Sequence, residues 1–170
     1  MMCGITGTPG TGKSMVADEL ALRGHTVVHL NDTVQPYITG KDEDRDTQEI
    51  DTVRWAHEFV RVNGFVEGHF AHLLSCDRVV VLRCRPDELK KRLMKRNYRI
   101  QKVRENAEAE ALDVCLIETL ELHDPSRILE IDTTDHGTVY CATRIERFVQ
   151  GEIPAAFGTI DWSSFVEAGV

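Results

Sequence analysis

The sequence predicts an α/β protein in three layers, a parallel sheet with helices on both faces. Three observations predict it. Short β-branched and apolar runs alternate with runs of helical apolar spacing along the chain, which is the pattern of βαβ units. The first apolar run leads straight into a glycine-rich turn at residues 7–12. A later apolar run, Phe65-Val66-Glu67, ends in a carboxylate. In open parallel sheets ligands bind beyond the C-terminal ends of the strands, and both the turn and Glu67 fall there.

The elements follow in order. Residues 1–6 read as a buried strand, and residues 13–22 as a helix with Met15, Val16, Leu20 and Leu22 at apolar positions. Arg23-Gly24 ends that helix. Residues 26–30 are β-branched and apolar, a second strand. Residues 31–46 carry Pro36, Gly40 and an acidic run and read as a loop with one helical turn. Residues 47–62 read as a helix with Ile50, Val53, Trp55 and Phe59 inward, stopped by Asn63-Gly64. After the strand at 65–67 come a short helix at 70–74 and the clearest strand of the chain, residues 78–84. Pro86 opens a helix that runs to residue 95. One further helix is expected over residues 100–122, a last strand over 128–131 and a last helix over 138–150.

With 170 residues the chain fits one domain, residues 1–170, and is long enough to bury a core. Its formal net charge of −8 argues against general nucleic-acid binding, which needs clustered Lys and Arg. The five Cys form no C-x-x-C pair, so buried, reduced thiols are expected rather than a zinc site or disulfide framework. No apolar stretch is long enough for a membrane span and no secretory signal is visible, so a cytoplasmic location is expected.

Gly7-Thr8-Pro9-Gly10-Thr11-Gly12-Lys13-Ser14 matches G-x-x-x-x-G-K-[ST], the P-loop, between a predicted strand and a predicted helix. Glycines let the backbone approach phosphate oxygens without Cβ clashes. Successive N–H groups form an anion nest, and the following helix offers its positive end. Lys13 adds a mobile charge near the β- and γ-phosphates, and the Ser14 hydroxyl is placed for Mg²⁺. ATP with Mg²⁺ is the expected ligand. Glu67, closing its strand beside this loop, is the expected second metal-side group, through a bound water. His69 is a candidate to orient or activate a nucleophile, and equally a structural histidine.

A basic stretch runs from Arg83 to Arg104 in this acidic chain. Most of it reads as a solvated helix face. Arg96 first, and Arg92 one helical turn before it, are the candidates to balance charge on a transferred phosphoryl group. Asp32, Arg45 and Arg54 are the polar candidates in the acceptor-side region.

These residues together resemble the adenylate kinase 6 type family, small nucleoside monophosphate kinase-like ATPases of archaea and eukaryotes. The likeness rests on the N-terminal Gly-Thr-Pro-Gly loop and on Glu67-Gly68-His69, similar to the family's Asp-x-His. It continues through Val79-Val80-Val81-Leu82-Arg83, Lys95-Arg96-Asn97-Tyr98, Lys102, Glu105-Asn106, Ala109-Glu110 and Ile131-Asp132-Thr133-Thr134, and so covers about residues 3–150. The resemblance implies a five-stranded P-loop NTPase core, an acceptor-binding region at about 28–51 and a short lid at about 95–105. It implies ATP:AMP phosphotransfer with ATPase activity, and a role in small ribosomal subunit maturation through ribosomal protein uS11. By it, Gly7, Gly10, Thr11, Gly12, Lys13, Ser14 and Met15 line the ATP phosphates and Arg96 is the lid arginine.

Three departures stand out. Met15 occupies a position where Thr is common, Glu67 replaces Asp, and Phe70-Ala71-His72 follows where long adenylate kinases carry an Arg. Three readings follow: a nucleoside monophosphate kinase, an ATPase switch that binds a ribosomal protein, and a small-metabolite kinase.

Overall fold

The computed structural model describes residues 1–42 and 47–167. Five strands form one parallel sheet: β1 (Met2–Thr6), β2 (Val27–His29), β5 (Gly64–Glu67), β6 (Arg78–Arg83) and β7 (Ile128–Asp132), in the order β2-β5-β1-β6-β7. β1 is central because every residue in it is buried, and only a strand covered on both faces reads as a continuous apolar run. A separate antiparallel pair, β3 (Ile38–Asp42) and β4 (Thr47–Ile50), lies outside this sheet.

Two apolar clusters fill the two faces. In β6 the alternation of the pleat sends Val79 and Val81 to one side, and Val80 and Leu82 to the other. The Val79 side packs on Trp55 of α2 (Thr52–Glu58) and on Cys115 and Leu116 of α5 (Val114–Leu122). The Val80 side packs on Val16 and Leu20 of α1 (Lys13–Leu22) and on Ile145 and Phe148 of α6 (Thr138–Val149). All five cysteines are buried and free. Among the described residues no helix is long and apolar enough to cross a membrane.

Four expectations need correction. Met15 and Leu22 are exposed, at 57% and 85%, because α1 turns Val16, Ala17 and Leu20 to the core. Residues 47–50 are strand, not helix. The helix starts after Asp51, whose side chain accepts from Arg54 N at 3.0 Å and so caps it; it ends at Glu58, and Val53 faces solvent. The expected loop at 31–46 contains β3. The single helix expected over 100–122 is two, α4 (Ile100–Ala111) and α5, with Asp113 in the left-handed region at φ 57° between them.

Arg83 ties down both sides of that break. It reaches from the end of β6, 1% exposed, and donates to the Glu110 carbonyl at 3.0 Å and to the Asp113 carboxylate. The same guanidinium donates to Glu110 Oε1 at 2.7 Å and to Glu130 of β7. Burial, the largest single effect, opposes its charge, but the Glu110, Glu130 and Asp113 carboxylates together outweigh it and raise the guanidinium pKa. Removing one member of such a cluster leaves buried carboxylates unpaired. Arg83→Met is therefore expected to lose about 3–5 kcal/mol in urea unfolding at neutral pH. Burial already raises Glu130, which takes up a proton more readily when folded. The loss should therefore shrink as pH falls toward the ordinary carboxylate range; a variant as stable as the parent at pH 7 contradicts this role.

Candidate active site

The loop leaving β1 is forced into its path by Gly7. Its φ is +143°, and a Cβ there would lie 2.3 Å from the Leu82 carbonyl oxygen. Gly12, at φ +96°, faces open space with nothing within 4 Å of an added Cβ. The loop therefore bends tightly against β6 and leaves its inner side open at the start of α1, where helix N–H groups lack partners.

Lys13 is nearly buried and folds back on this loop. Its Nζ donates to Gly7 O at 2.8 Å and to Thr8 O at 3.1 Å. Burial lowers its pKa below the usual lysine range, opposed by nearby acidic groups including Glu67 and Glu110. His69 Nδ1 lies 3.2 Å from the same Gly7 oxygen. A carbonyl only accepts, so Nδ1 carries the proton and Nε2 keeps a lone pair. Burial first, then the Lys13 charge, lowers the His69 pKa, so the ring is neutral at pH 7.

Ser14 and Glu67 meet beside the loop. Ser14 Oγ donates to Glu67 Oε1 at 3.3 Å. The other carboxylate oxygen lies 2.9 Å from His29 Nδ1, and His29 Nε2 lies 3.5 Å from Asp18. His29 was not singled out from the sequence. The signal was available in register, since His29 pairs directly with Glu67 across β2 and β5.

Two cavities flank the loop. The larger, about 510 Å³, is lined by Gly10, Gly12, Met15, Arg96, Thr133 and His136, among others. The smaller, about 210 Å³, holds Lys13, Ser14, Glu67, His69 and Asn31 and again Gly10, Gly12 and Arg96. Arg96 is exposed and lines both. It is presented by the end of α3 (Pro86–Lys95), which closes with Asn97 at φ 58° and Tyr98 N–H donating to Leu93 O at 3.3 Å.

Arg92 is placed differently. Its guanidinium donates to Thr133 O at 2.9 Å, Thr134 O at 3.1 Å and Thr133 Oγ1 at 3.2 Å. Thr133 Oγ1 in turn donates to Thr11 O at 2.8 Å, so Arg92 braces the wall of the larger cavity. Thr11 itself is fully buried, its hydroxyl donating to Thr8 O at 2.9 Å, so its side chain holds the loop's shape. On the acceptor side Asp32 is exposed, and Arg54 is engaged by Glu58 at 2.9 Å and lies over the Tyr37 ring. Arg45 lies outside the described residues.

A family model described as an AAA domain, AAA_18, matches residues 3–113. Proteins named "Putative adenylate kinase" are similar over nearly the whole chain. That of Natronomonas pharaonis is 42% identical, covering 96% of this chain and 98% of its own. That of Archaeoglobus fulgidus is 40% identical, covering 98% and 94%. Among solved structures, shikimate kinase from Acinetobacter baumannii superposes with a TM-score of 0.60 at 16% identity, covering 89% of this chain and 93% of that one. A gluconokinase from Sinorhizobium meliloti gives 0.54 at 15%, covering 89% and 96%. These two likenesses, with the sheet order and the loop, establish a P-loop NTPase fold. The chain belongs to the AAA_18 family and to the archaeal group that carries the adenylate kinase name.

Proposed function

We propose that this chain is an ATP:AMP phosphotransferase that accepts other nucleoside monophosphates and also hydrolyses ATP. One observation carries the reading: a single exposed arginine, Arg96, borders two cavities that meet at the glycine loop. A phosphoryl donor in the larger cavity and an acceptor reaching the smaller one would meet beside Arg96, Lys13 and Ser14. The adenylate kinase name of the relatives supports a nucleotide as acceptor. So does the poor match of a small-metabolite kinase to the later sequence motifs.

The residues fit the roles. The open side of Gly12, with Gly7, Gly10, Thr11 and Met15, offers backbone N–H groups to phosphates. Only the main chain of Met15 is needed, which explains how Met stands there. Lys13 exchanges the Gly7 and Thr8 carbonyls for phosphate oxygens and regains an anionic partner. Ser14 and, through water, Glu67 are hard oxygen donors that suit Mg²⁺, which when bound neutralises phosphate charge. Arg96 stabilises charge on the moving phosphoryl group. Catalysis then rests on positioning and electrostatics, with no covalent enzyme intermediate.

The hydrolytic side follows from two features. The segment proposed as lid, about residues 95–105, is only the α3–α4 turn and the first turns of α4, a small cover against water. His69 Nε2, unprotonated at the smaller cavity, is suited to orient a water molecule. A nucleotide-dependent switch in the cytoplasm, bound to ribosomal protein uS11 during small-subunit maturation, is the second reading. The resemblance to the adenylate kinase 6 type supports it, as does the missing Arg after Glu67, where Phe70-Ala71-His72 stands.

The deciding experiment measures ADP formed from Mg-ATP by the full chain, with and without AMP. AMP is expected to raise the output, with two ADP for each ATP and AMP consumed, and Lys13→Ala should lower it about a hundredfold or more. ATP consumption at one rate with or without AMP would favour the switch. A second prediction separates the two activities. His69→Ala should depress AMP-independent hydrolysis at least about tenfold more than AMP-dependent transfer, general-base help being worth about 10²–10⁴-fold. Because the His69 pKa is lowered, hydrolysis by the parent should hold down to a pH below the ordinary imidazole value of about 6.5. Equal losses in both activities would make His69 a prop for the loop.

A further inference from the structure

A second cluster of reactive side chains lies apart from the Ser14–Glu67 oxygen pair. His72, in the turn after β5, meets Cys115 and Glu118 of α5, with one ligand atom from each within 4.8 Å of the others. Cys115 and Glu118 share a face of α5, being one turn apart. His72 is 2% exposed and Cys115 3%, while Glu118 is half-exposed.

The hydrogen bonds of His72 settle which nitrogen is free. Nδ1 lies 2.8 Å from Thr6 Oγ1. The Thr6 hydroxyl donates its one proton to the His69 carbonyl at 3.0 Å, so toward His72 it can only accept, and Nδ1 carries the proton. Nε2 of the neutral ring then holds a lone pair, and it faces Glu118 Oε2 at 3.1 Å. Two acceptors confront each other at hydrogen-bond distance. A cation shared by both atoms relieves that contact.

We propose that His72 Nε2, Cys115 Sγ and Glu118 Oε2 form a binding site for one divalent transition metal of the zinc class. Nitrogen, thiolate and carboxylate donors suit Zn²⁺ and not Mg²⁺. Thr6 Oγ1, itself anchored on the His69 carbonyl, serves as the outer partner that fixes the imidazole. Three protein ligands leave the fourth tetrahedral position to water. A cysteine with an ordinary pKa of about 8.5 is mostly a thiol at neutral pH before metal arrives. On binding, the S–H bond breaks, an S–metal bond forms and the proton leaves to solvent. The metal would tie α5 to the β5–β6 connection beside His69, whose Nδ1 is 3.9 Å from Cys115 Sγ.

The test uses the full chain, stripped with chelator and free of nucleotide, titrated with Co²⁺ and then Zn²⁺. One Co²⁺ per chain is expected, with a thiolate-to-cobalt charge-transfer band, displaced by Zn²⁺. About one proton should be released per Zn²⁺ at neutral pH. A hundredfold excess of Zn²⁺ over its Kd should raise Tm by about 5–10 °C. Cys115→Ser should abolish the band. Glu118→Gln, at a half-exposed position that keeps the fold, should weaken binding at least about tenfold. Absence of binding, a spectrum without the thiolate band, or an affinity unchanged in both variants would overturn the site. Capture at the oxygen pair instead would appear as a band-free spectrum that survives Cys115→Ser and is lost in Ser14→Ala.

Discussion

The buried guanidinium of Arg83 is the point to which the rest of the structure is tied. It spans Glu110 and Asp113 at the α4–α5 junction and Glu130 on the neighbouring strand. Glu110 is shared further. Its Oε1 accepts from Cys84 N at 3.0 Å, and its Oε2 accepts from the Thr8 hydroxyl at 2.5 Å. One carboxylate thus joins the end of β6, the end of α4 and the glycine loop. Glu130 extends the cluster to the C-terminal segment, accepting from Gly158 N at 2.8 Å. Buried ion pairs of this kind add little net stability over apolar packing, but they permit few alternative arrangements. What the cluster supplies here is placement of the loop relative to α4.

That placement matters because the loop's carbonyls are as constrained as its N–H groups. Lys13 and His69 converge on the Gly7 oxygen, while Thr8 O receives Lys13 and the Thr11 hydroxyl. With the carbonyls turned to these donors, the N–H groups are left for an anion. In the proposed function Lys13 is the one member of this set that must leave, and His69 then keeps Gly7 O satisfied. The histidine two residues past the acidic strand end therefore has a structural duty whatever its chemical one.

The sequence made the sheet and the loop legible because their signals are local. β1, β5 and β6 are short apolar runs with sharp ends, and α1 begins where the P-loop pattern requires it. Ser14 and Glu67 lie in contact beside that loop. Several of the misses involve partners distant in sequence. The break between α4 and α5 is pinned by Arg83, 30 residues before Asp113, and helical periodicity over 100–122 carries no sign of that contact. Arg83 itself read as one more cation of a solvated stretch, yet it is among the most buried side chains. β4 was hidden by the apolar spacing of residues 50–59, although Asp51 marked the true start of α2. Arg92 ranked second to Arg96 on the same helix face, and the Thr133–Thr134 carbonyls claim it.

The Glu at position 67, where the family resemblance implies an Asp, is intelligible in the same terms. An extra methylene gives the carboxylate longer reach and one more rotatable bond, and a loosely held ligand-side group loses entropy each time it is ordered. Here both oxygens are already held, one by the Ser14 hydroxyl and the other by His29. His29 is placed for this by strand register, and its far nitrogen is steadied by Asp18 on α1. The strand pairing β2–β5 thus restores the rigidity that the longer side chain gives up. It is fixed at its own edge by Gly64, where a Cβ would lie 2.4 Å from Thr26 O. The geometry of the acidic group beside the loop is therefore decided at the outer strand of the sheet, away from the glycine motif itself.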